Sequence, residues 1–247
     1  MVGVLCQNSL LFDSILEYKR LLERDHFFYL EANDPDFDWI KFSKMVTGKE
    51  LTPQYGKDIF HVQWEPEFLN LSDARGRRNL LPHTEASDYP RPPKYLALWC
   101  QKPADCGGGK TTLASVDGFL ATLTAAEKKI LMETTHYFGA TSGIHANRTQ
   151  GATHPILSFV DSNPILRFSC NYINHGDYSP DPENLVPFTP DPFLEDISRR
   201  LMAYFEESAT GIRMKQYSLL LWDNECMVHS RTNYTDPTRK LDRIFLT

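Results

Sequence analysis

"YSLLLWDNECMVHSRTNY", residues 217–234, is the stretch that decides the fold class. Apolar and β-forming residues lie on both sides of the pair Asp223-Asn224, and Asp and Asn are common turn residues. The pattern therefore predicts a pair of strands around this turn. His229 lies near the end of this very apolar segment.

Other segments show the same kind of pattern. Residues 154–173, "HPILSFVDSNPILRFSCNYI", have two β-rich arms around Asp161-Ser162-Asn163-Pro164 and predict a hairpin. Residues 240–247 predict a final strand, and residues 58–101 contain short apolar runs separated by turns. The Pro-rich residues 89–95 predict a loop or an edge, because proline cannot donate to a central ladder.

Three helices are predicted between and before these strands. Apolar residues at helical spacing predict a helix over 9–24. Thr124 and Glu127 form the capping-box pattern ahead of a second helix. Asp191-Pro192 opens a third helix, which Gly211 can close.

Short strands with turns, few helices and no alternating βαβ pattern favour a mainly β fold with flanking helices, either a sandwich or a jelly roll. A chain of 247 residues, 41% of them hydrophobic, is long enough to bury a sizeable core. We expect a single domain over 1–247 with an N-terminal helix and a helical insertion at about 190–210.

Composition and charge exclude several classes of function. The formal net charge of −6 and the absence of a basic run argue against nucleic acid as a partner. No apolar stretch is long enough to span a membrane, and the N-terminal residues do not resemble a signal peptide, so we expect a cytoplasmic protein. Five scattered cysteines without CxxC spacing indicate reduced thiols.

"NLLPHTEASDYP", residues 79–90, carries the strongest chemical signal. If residues 80–85 are extended, His83 and Glu85 point to the same face and can bind one ion. His229 can supply a third ligand. Two histidines and one carboxylate leave positions open on a metal, which suits iron(II) that must bind a cosubstrate and dioxygen. A lone His-x-Glu is nevertheless a weak signal, and the same ligands also suit zinc.

Residues 104–115, "ADCGGGKTTLAS", resemble the end of a phosphate-binding loop. The full pattern needs a glycine where this chain has Ala104, so nucleotide binding is disfavoured. Farther along, Arg239 and Arg243 are spaced so that both can lie on one face of a strand, and a guanidinium can hold a carboxylate with two bonds.

Together these segments resemble the TauD/TfdA family of iron(II)- and 2-oxoglutarate-dependent dioxygenases, in particular its clavaminate synthase-like branch. The resemblance runs from about residue 79 to the C-terminus. It rests on "HTEASDYPRPPKYLALW", "GGKTTLAS", "THPILSFVDSNPILRF", "LLLWDNECMVHSRT" and "RKLDRIFL".

The resemblance implies a double-stranded β-helix (jelly roll) and a set of site residues. His83, Glu85 and His229 would bind iron, and Arg243 would face the substrate. Thr111 and Arg239 would hold the distal carboxylate of 2-oxoglutarate. For Thr111, a hairpin turn whose threonines merely favour β structure remains an alternative.

The implied reaction hydroxylates, desaturates or cyclises an aliphatic C–H position of a small polar metabolite, such as an amino acid or a related carboxylate, and releases succinate and carbon dioxide. Glu85 at the carboxylate position implies oxygen chemistry rather than halogenation. Trp64, His61 and Tyr95 are candidate pocket walls. A zinc hydrolase, which would not explain the threonine and arginine, and a non-catalytic jelly-roll binding protein are the alternatives.

Overall fold

The computed structural model describes residues 3–54, 56–139, 151–160 and 163–247, with side chains from residue 14 onward. Within these ranges the helices are α1 (Gly3–Asp25), α2 (Trp39–Thr47), α3 (Val116–Ala121), α4 (Ala125–Glu133), α5 (Cys170–His175) and α6 (Pro192–Ser208). The strands are β1 (Phe27–Glu31), β2 (Leu51–Thr52), β3 (Phe60–Gln63), β4 (Leu80–His83), β5 (Tyr95–Lys102), β6 (Thr111–Ser115), β7 (Thr135–Phe138), β8 (Ala152–Pro155), β9 (Leu157–Val160), β10 (Asn163–Leu166), β11 (Thr210–Ile212), β12 (Ser218–Asp223), β13 (Met227–Arg231) and β14 (Lys240–Leu246).

Two antiparallel sheets form the centre of the molecule. The larger sheet has the order β1-β12-β5-β14-β2, with β3 also paired to β14. The smaller sheet has the order β11-β6-β13-β4. Two further strand pairs, β7 with β8 and β9 with β10, lie outside these sheets. This arrangement confirms the mainly β prediction with flanking helices.

Three apolar clusters hold the layers together. One cluster contains residues of both sheets, among them Leu98, Leu113 and Trp222, and therefore fills the space between them. A second joins the outer face of the larger sheet to α1 and α2. A third joins the outer face of the smaller sheet to the helices α3 to α6 and to the β9–β10 pair.

Strand β12 shows why the segment 218–223 is apolar at nearly every position. Leu219 and Leu221 pack towards the helices, whereas Leu220 and Trp222 pack between the sheets. Because side chains alternate between the two faces of a strand, a strand covered on both faces needs apolar residues throughout.

The prediction that residues 217–234 form one strand pair is wrong in its pairing. Strand β12 pairs with β1 and β5 in the larger sheet, and β13 pairs with β6 and β4 in the smaller sheet. Residues 224–226 carry the chain from one sheet to the other. A turn signal between two apolar runs does not specify the partner strand when each run can be buried on both faces.

Most other predicted elements are confirmed. Helix α1 covers 9–24, the capping box at Thr124 is present, and α6 begins at Pro192 after the Asp191 cap. Strand β14 is the predicted final strand, and residues 89–94 form a loop before β5. The described cysteines 100, 106, 170 and 226 are free thiols.

Two turn predictions need correction. Helix α6 ends at Ser208 with Ala209 as its cap, and Gly211 lies in β11, where it pairs with Thr112. The predicted hairpin exists as the β9–β10 pair, but Asn163 and Pro164 belong to β10 rather than to the turn. Asp161 and Ser162, which were also assigned to that turn, lie outside the described residues.

Candidate metal centre

His83 and His229 face each other across two paired strands. His83 ends β4 and lies opposite His229 of β13, and their ring centroids are 4.1 Å apart. Nδ1 of His83 donates to the carbonyl of Leu81 at 2.8 Å, so its Nε2 carries the lone pair. Burial and the neighbouring His229 lower the pKa of His83 to about 3. His83 is therefore neutral at physiological pH, as a metal ligand must be.

Glu85 completes the cluster from just beyond the end of β4. Its Oε2 lies 3.9 Å from Nε2 of His83 and 3.6 Å from Nε2 of His229. The strand was expected to continue to Glu85, but it ends at His83, and a turn begins that places Ala86 at a φ of 58°. The two side chains still converge, although Glu85 is not held by a strand ladder.

The donor set fits a divalent metal ion. The ligand atoms of His83, Glu85 and His229 all lie within 4.8 Å of one another. Burial favours the neutral form of Glu85, yet Arg243 and the two histidines hold the pKa of its carboxyl below its usual range. Two neutral imidazoles and one ionised carboxylate are the protonation states that metal binding requires. Nδ1 of His229 is buried without a hydrogen-bond partner among the described residues.

The three side chains line a cavity between the two sheets, with a volume of about 1100 Å³ including its open mouth. Its apolar wall comes from β3, β5, β12 and β14. Its polar wall comes from loops and α5. The wall residues include Val62, Leu98, Trp222, Leu241 and Phe245 on the apolar side and Ser72, Asp73, Asp88, Ser169, Asn171 and Ser179 on the polar side.

Arg239 lies on this cavity immediately before β14 and is 3% exposed. Its Nη2 donates to the carbonyl of Gly109 at 3.3 Å, and its Nη1 is buried without a partner in the described part of the chain. The guanidinium also lies 5.1 Å from the ring centroid of Tyr234. A buried cation with an unused donor is a suitable binding group for an anion. Thr111, the first residue of β6, is buried and lines the same cavity.

Arg243 reaches the cavity from within β14, as its spacing from Arg239 predicted. Its Nη1 donates to Oε2 of Glu85 at 2.9 Å, and its Nε donates to Oε1 of Gln54 at 3.2 Å. The guanidinium carbon lies 5.0 Å from the ring centroid of Phe60 and 5.2 Å from that of Phe245. Arg243 therefore holds the carboxylate of the cluster, a contact that the sequence did not indicate.

The predicted pocket walls Trp64, His61 and Tyr95 are wrong, because none of them lines the cavity. Phe60 and Val62 of β3 do line it, so His61 between them points the other way and pairs with Asp242 at 2.7 Å. Tyr95 packs on the helix side of the larger sheet, and Trp64 lies under Arg77.

Several lining residues were missed. Gln54, Phe60 and Asp73 lie before residue 79, where the resemblance to the dioxygenase family begins. Asn171 lies in α5. Among these residues, the sequence indicates only Phe60 as a lining residue, because Phe60 and Val62 are apolar and two positions apart in a short strand.

Comparisons with known proteins agree with this architecture. The sequence profile of the family described as "Taurine catabolism dioxygenase TauD, TfdA family" matches residues 19–245. No curated protein sequence matches.

Solved structures give a consistent result. Asparagine oxygenase with Fe(II), 2S,3S-3-hydroxyasparagine and succinate superposes with a TM-score of 0.68 at 19% identity, covering 96% of this chain and 79% of that chain. The non-heme iron oxygenase OrfP with Fe and alpha-ketoglutaric acid gives 0.67 at 19%, covering 95% and 79%. PvcB from Pseudomonas aeruginosa gives 0.63 at 17%, covering 94% and 79%. At these identities the similarity establishes the fold, the expected double-stranded β-helix.

Proposed function

Because the chain belongs to the TauD/TfdA dioxygenase family, we propose that it uses iron(II) and 2-oxoglutarate to oxidise an aliphatic C–H bond of a small polar metabolite. The observation that carries the proposal is the convergence of His83, Glu85 and His229 beside the buried Arg239 in one cavity. Similar structures contain hydroxylated amino acids: asparagine oxygenase contains 2S,3S-3-hydroxyasparagine, and a second structure of OrfP contains (3S)-hydroxy-L-Arg. These structures support an amino acid or related carboxylate as the substrate class.

The three ligands would hold iron with positions left open on the cavity side. Bound iron, 2-oxoglutarate and dioxygen supply the oxidising chemistry, in which the substrate C–H becomes C–OH and 2-oxoglutarate becomes succinate and carbon dioxide. The protein keeps His83 neutral and the carboxylate of Glu85 ionised, and the apolar wall of the cavity would limit the access of water to the reacting C–H bond.

Arg239 and Thr111 would hold the distal carboxylate of 2-oxoglutarate. The unused Nη1 of Arg239 can donate to that carboxylate without breaking the bond between Nη2 and Gly109. A carboxylate there would also offset the cost of burying the guanidinium, which lowers the pKa of Arg239.

Arg243 would lie at the substrate, where its edge faces the cavity between Gln54 and Glu85. A guanidinium fixed at Nε and Nη1 and stacked near two phenylalanine rings is oriented before substrate arrives, which reduces the entropy lost on binding. The substrate and the carboxylate of Glu85 would then both contact the guanidinium of Arg243.

The ligand set alone would also suit zinc, so metal dependence is the deciding test. We would supply the purified protein with 2-oxoglutarate and dioxygen after loading it with Fe²⁺ or Zn²⁺, and measure succinate with and without a panel of free amino acids and small acids. We expect succinate only with iron, and a substrate-dependent rise for at least one amino acid or small acid. If the protein binds 2-oxoglutarate but forms no succinate with either metal, it is a binding protein. If the Zn²⁺-loaded protein hydrolyses a substrate and forms no succinate, the zinc hydrolase alternative is correct.

Two further expectations accompany the proposal. Glu85 at the carboxylate position favours oxygen transfer, so a chlorinated product from the unmodified protein would contradict the ligand assignment.

Among the described residues, no helix is long and apolar enough to cross a membrane. The cytoplasmic location expected from the sequence stays a prediction.

A further inference from the structure

The side chain of Asn224 forms hydrogen bonds with both the backbone amide and the backbone carbonyl of Glu85. Asn224 lies in the segment that crosses from β12 to β13 and is 2% exposed. Its Oδ1 accepts from the amide of Glu85 at 2.8 Å, and its Nδ2 donates to the carbonyl of Glu85 at 3.2 Å. Nδ2 also donates to the carbonyl of Pro93 at 3.0 Å. One side chain thus satisfies both backbone groups of the proposed metal ligand.

Glu85 needs such a restraint because the local backbone does not provide one. Strand β4 ends at His83, and Ala86 adopts a φ of 58°, in the left-handed region. A residue with a Cβ atom pays about 1–2 kcal/mol for that conformation, so the turn requires contacts from elsewhere in the fold.

Asn224 also connects two proposed ligands that are distant in sequence. Asn224 and Glu85 are 139 positions apart, whereas Asn224 lies in the short crossover that leads into β13, the strand that carries His229. Asn224 thus links the crossover before His229 directly to the backbone of Glu85, whose Oε2 lies 3.6 Å from Nε2 of His229.

We propose that Asn224 is a positioning residue that sets the geometry of the metal centre, an inference that rests on the proposed function of His83, Glu85 and His229 as metal ligands. Asparagine is required because the position must accept from one backbone group and donate to another. Aspartate keeps an acceptor for the Glu85 amide but cannot donate to the Glu85 carbonyl.

The test is a calorimetric Co²⁺ titration of the full chain in the absence of cosubstrate. We expect N224A to bind Co²⁺ about ten- to a hundredfold more weakly than wild type, the usual loss when a group that orients a metal ligand is removed. E225Q is the matched control, because Glu225 belongs to the same crossover and bonds to Lys94 rather than to Glu85. We expect E225Q to bind Co²⁺ within about threefold of wild type.

Thermal unfolding of the metal-free variants separates positioning from general loss of stability. If N224A does not fold, N224D gives the same comparison, with an expected loss of about tenfold and an altered visible absorption of the anaerobic iron–2-oxoglutarate complex. Folded N224A or N224D with wild-type Co²⁺ affinity would overturn the inference. Wild-type protein that fails to bind Co²⁺ would overturn the proposed metal site itself.

Discussion

Nη1 of Arg243 lies 2.9 Å from Oε2 of Glu85, and this is the same oxygen that faces Nε2 of His83 and Nε2 of His229. The guanidinium thus keeps the carboxylate ionised and aimed between the histidines. Arg243 is at once a neighbour of the proposed metal ligands and part of the wall of the cavity in which we propose that substrate binds.

Replacing Arg243 with alanine should separate substrate binding from cosubstrate binding. At saturating iron we expect 2-oxoglutarate affinity within about threefold of wild type, because that carboxylate is assigned to a different arginine. We expect weaker substrate binding and a larger share of succinate formed without substrate oxidation. The measurements are anaerobic 2-oxoglutarate titrations followed by visible absorption, and the ratio of succinate to oxidised product. A greater loss of 2-oxoglutarate affinity here than in Arg239→Ala would reverse the two assignments.

Replacing Arg239 with alanine should weaken 2-oxoglutarate binding. The change removes the proposed charge-assisted bond from Nη1, which costs about 1.5–3 kcal/mol or roughly ten- to a hundredfold in affinity. Arg167→Met is the control, because Arg167 is also buried but bonds to the carbonyl of Pro90 and does not line the cavity. The same absorption titration measures both variants. If both variants lost 2-oxoglutarate affinity equally, the loss would come from removing any buried arginine and not from removing the residue that binds 2-oxoglutarate.

Alanine at His83, Glu85 or His229 should abolish metal binding and turnover while leaving a folded protein. Each change removes one proposed ligand and leaves the apolar packing of the two sheets intact, because His83 and His229 lie in strands and Glu85 lies in the turn after β4. His61→Ala is the control, since His61 pairs with Asp242 outside the cavity. Calorimetric metal titration, succinate release and circular dichroism provide the three readouts. Wild-type activity in any of the three variants would remove that residue from the site.

The stability of the metal-free protein should fall as the pH falls below about 6.5. An unfolded histidine takes up a proton near that pH, whereas burial and His229 lower the pKa of folded His83 to about 3. Between these values the unfolded state binds the extra proton, so the free energy of unfolding decreases by up to about 1.4 kcal/mol per pH unit. Urea unfolding between pH 7 and 5 should show a steeper slope for wild type than for His83→Gln. Identical slopes would show that His83 does not remain neutral in the folded protein.

The three proposed ligands were predictable because they lie in or next to strands with simple patterns. His83 and Glu85 are two positions apart after an apolar run, and His229 follows Met227 and Val228, which are buried on opposite faces of β13. The sequence could not show that β12 and β13 belong to different sheets, because burial on both faces removes the alternation that specifies a partner.

The rest of the cavity was not predictable for a different physical reason. Gln54 and Asp73 lie outside strands and helices with a clear period, and they reach the cavity only through the path of the intervening loops. The bond between Asn224 and Glu85 joins two irregular segments, for which periodicity gives no information. His61 lies between the lining residues Phe60 and Val62 on β3, and a difference of one position on a strand places a side chain on the opposite face.

Gly109 tests the role of the glycine-rich turn, because a Cβ atom there would lie 2.9 Å from Nε and 3.1 Å from Cδ of Arg239. Gly109→Ala should therefore displace the guanidinium and weaken 2-oxoglutarate binding by about tenfold, while Co²⁺ affinity stays within about threefold of wild type. Gly48→Ala is the matched control: Gly48 has a φ of 65°, close to the 70° of Gly109, and no atom lies within 4 Å of its added Cβ. Both variants bear the same left-handed strain of about 1–2 kcal/mol, so a difference in 2-oxoglutarate affinity reports the contacts of the added Cβ atom, the shortest of which are with Arg239. Equal affinities in the two variants would mean that the position of this guanidinium does not govern cosubstrate binding, and the anchor would have to be sought elsewhere on the cavity wall.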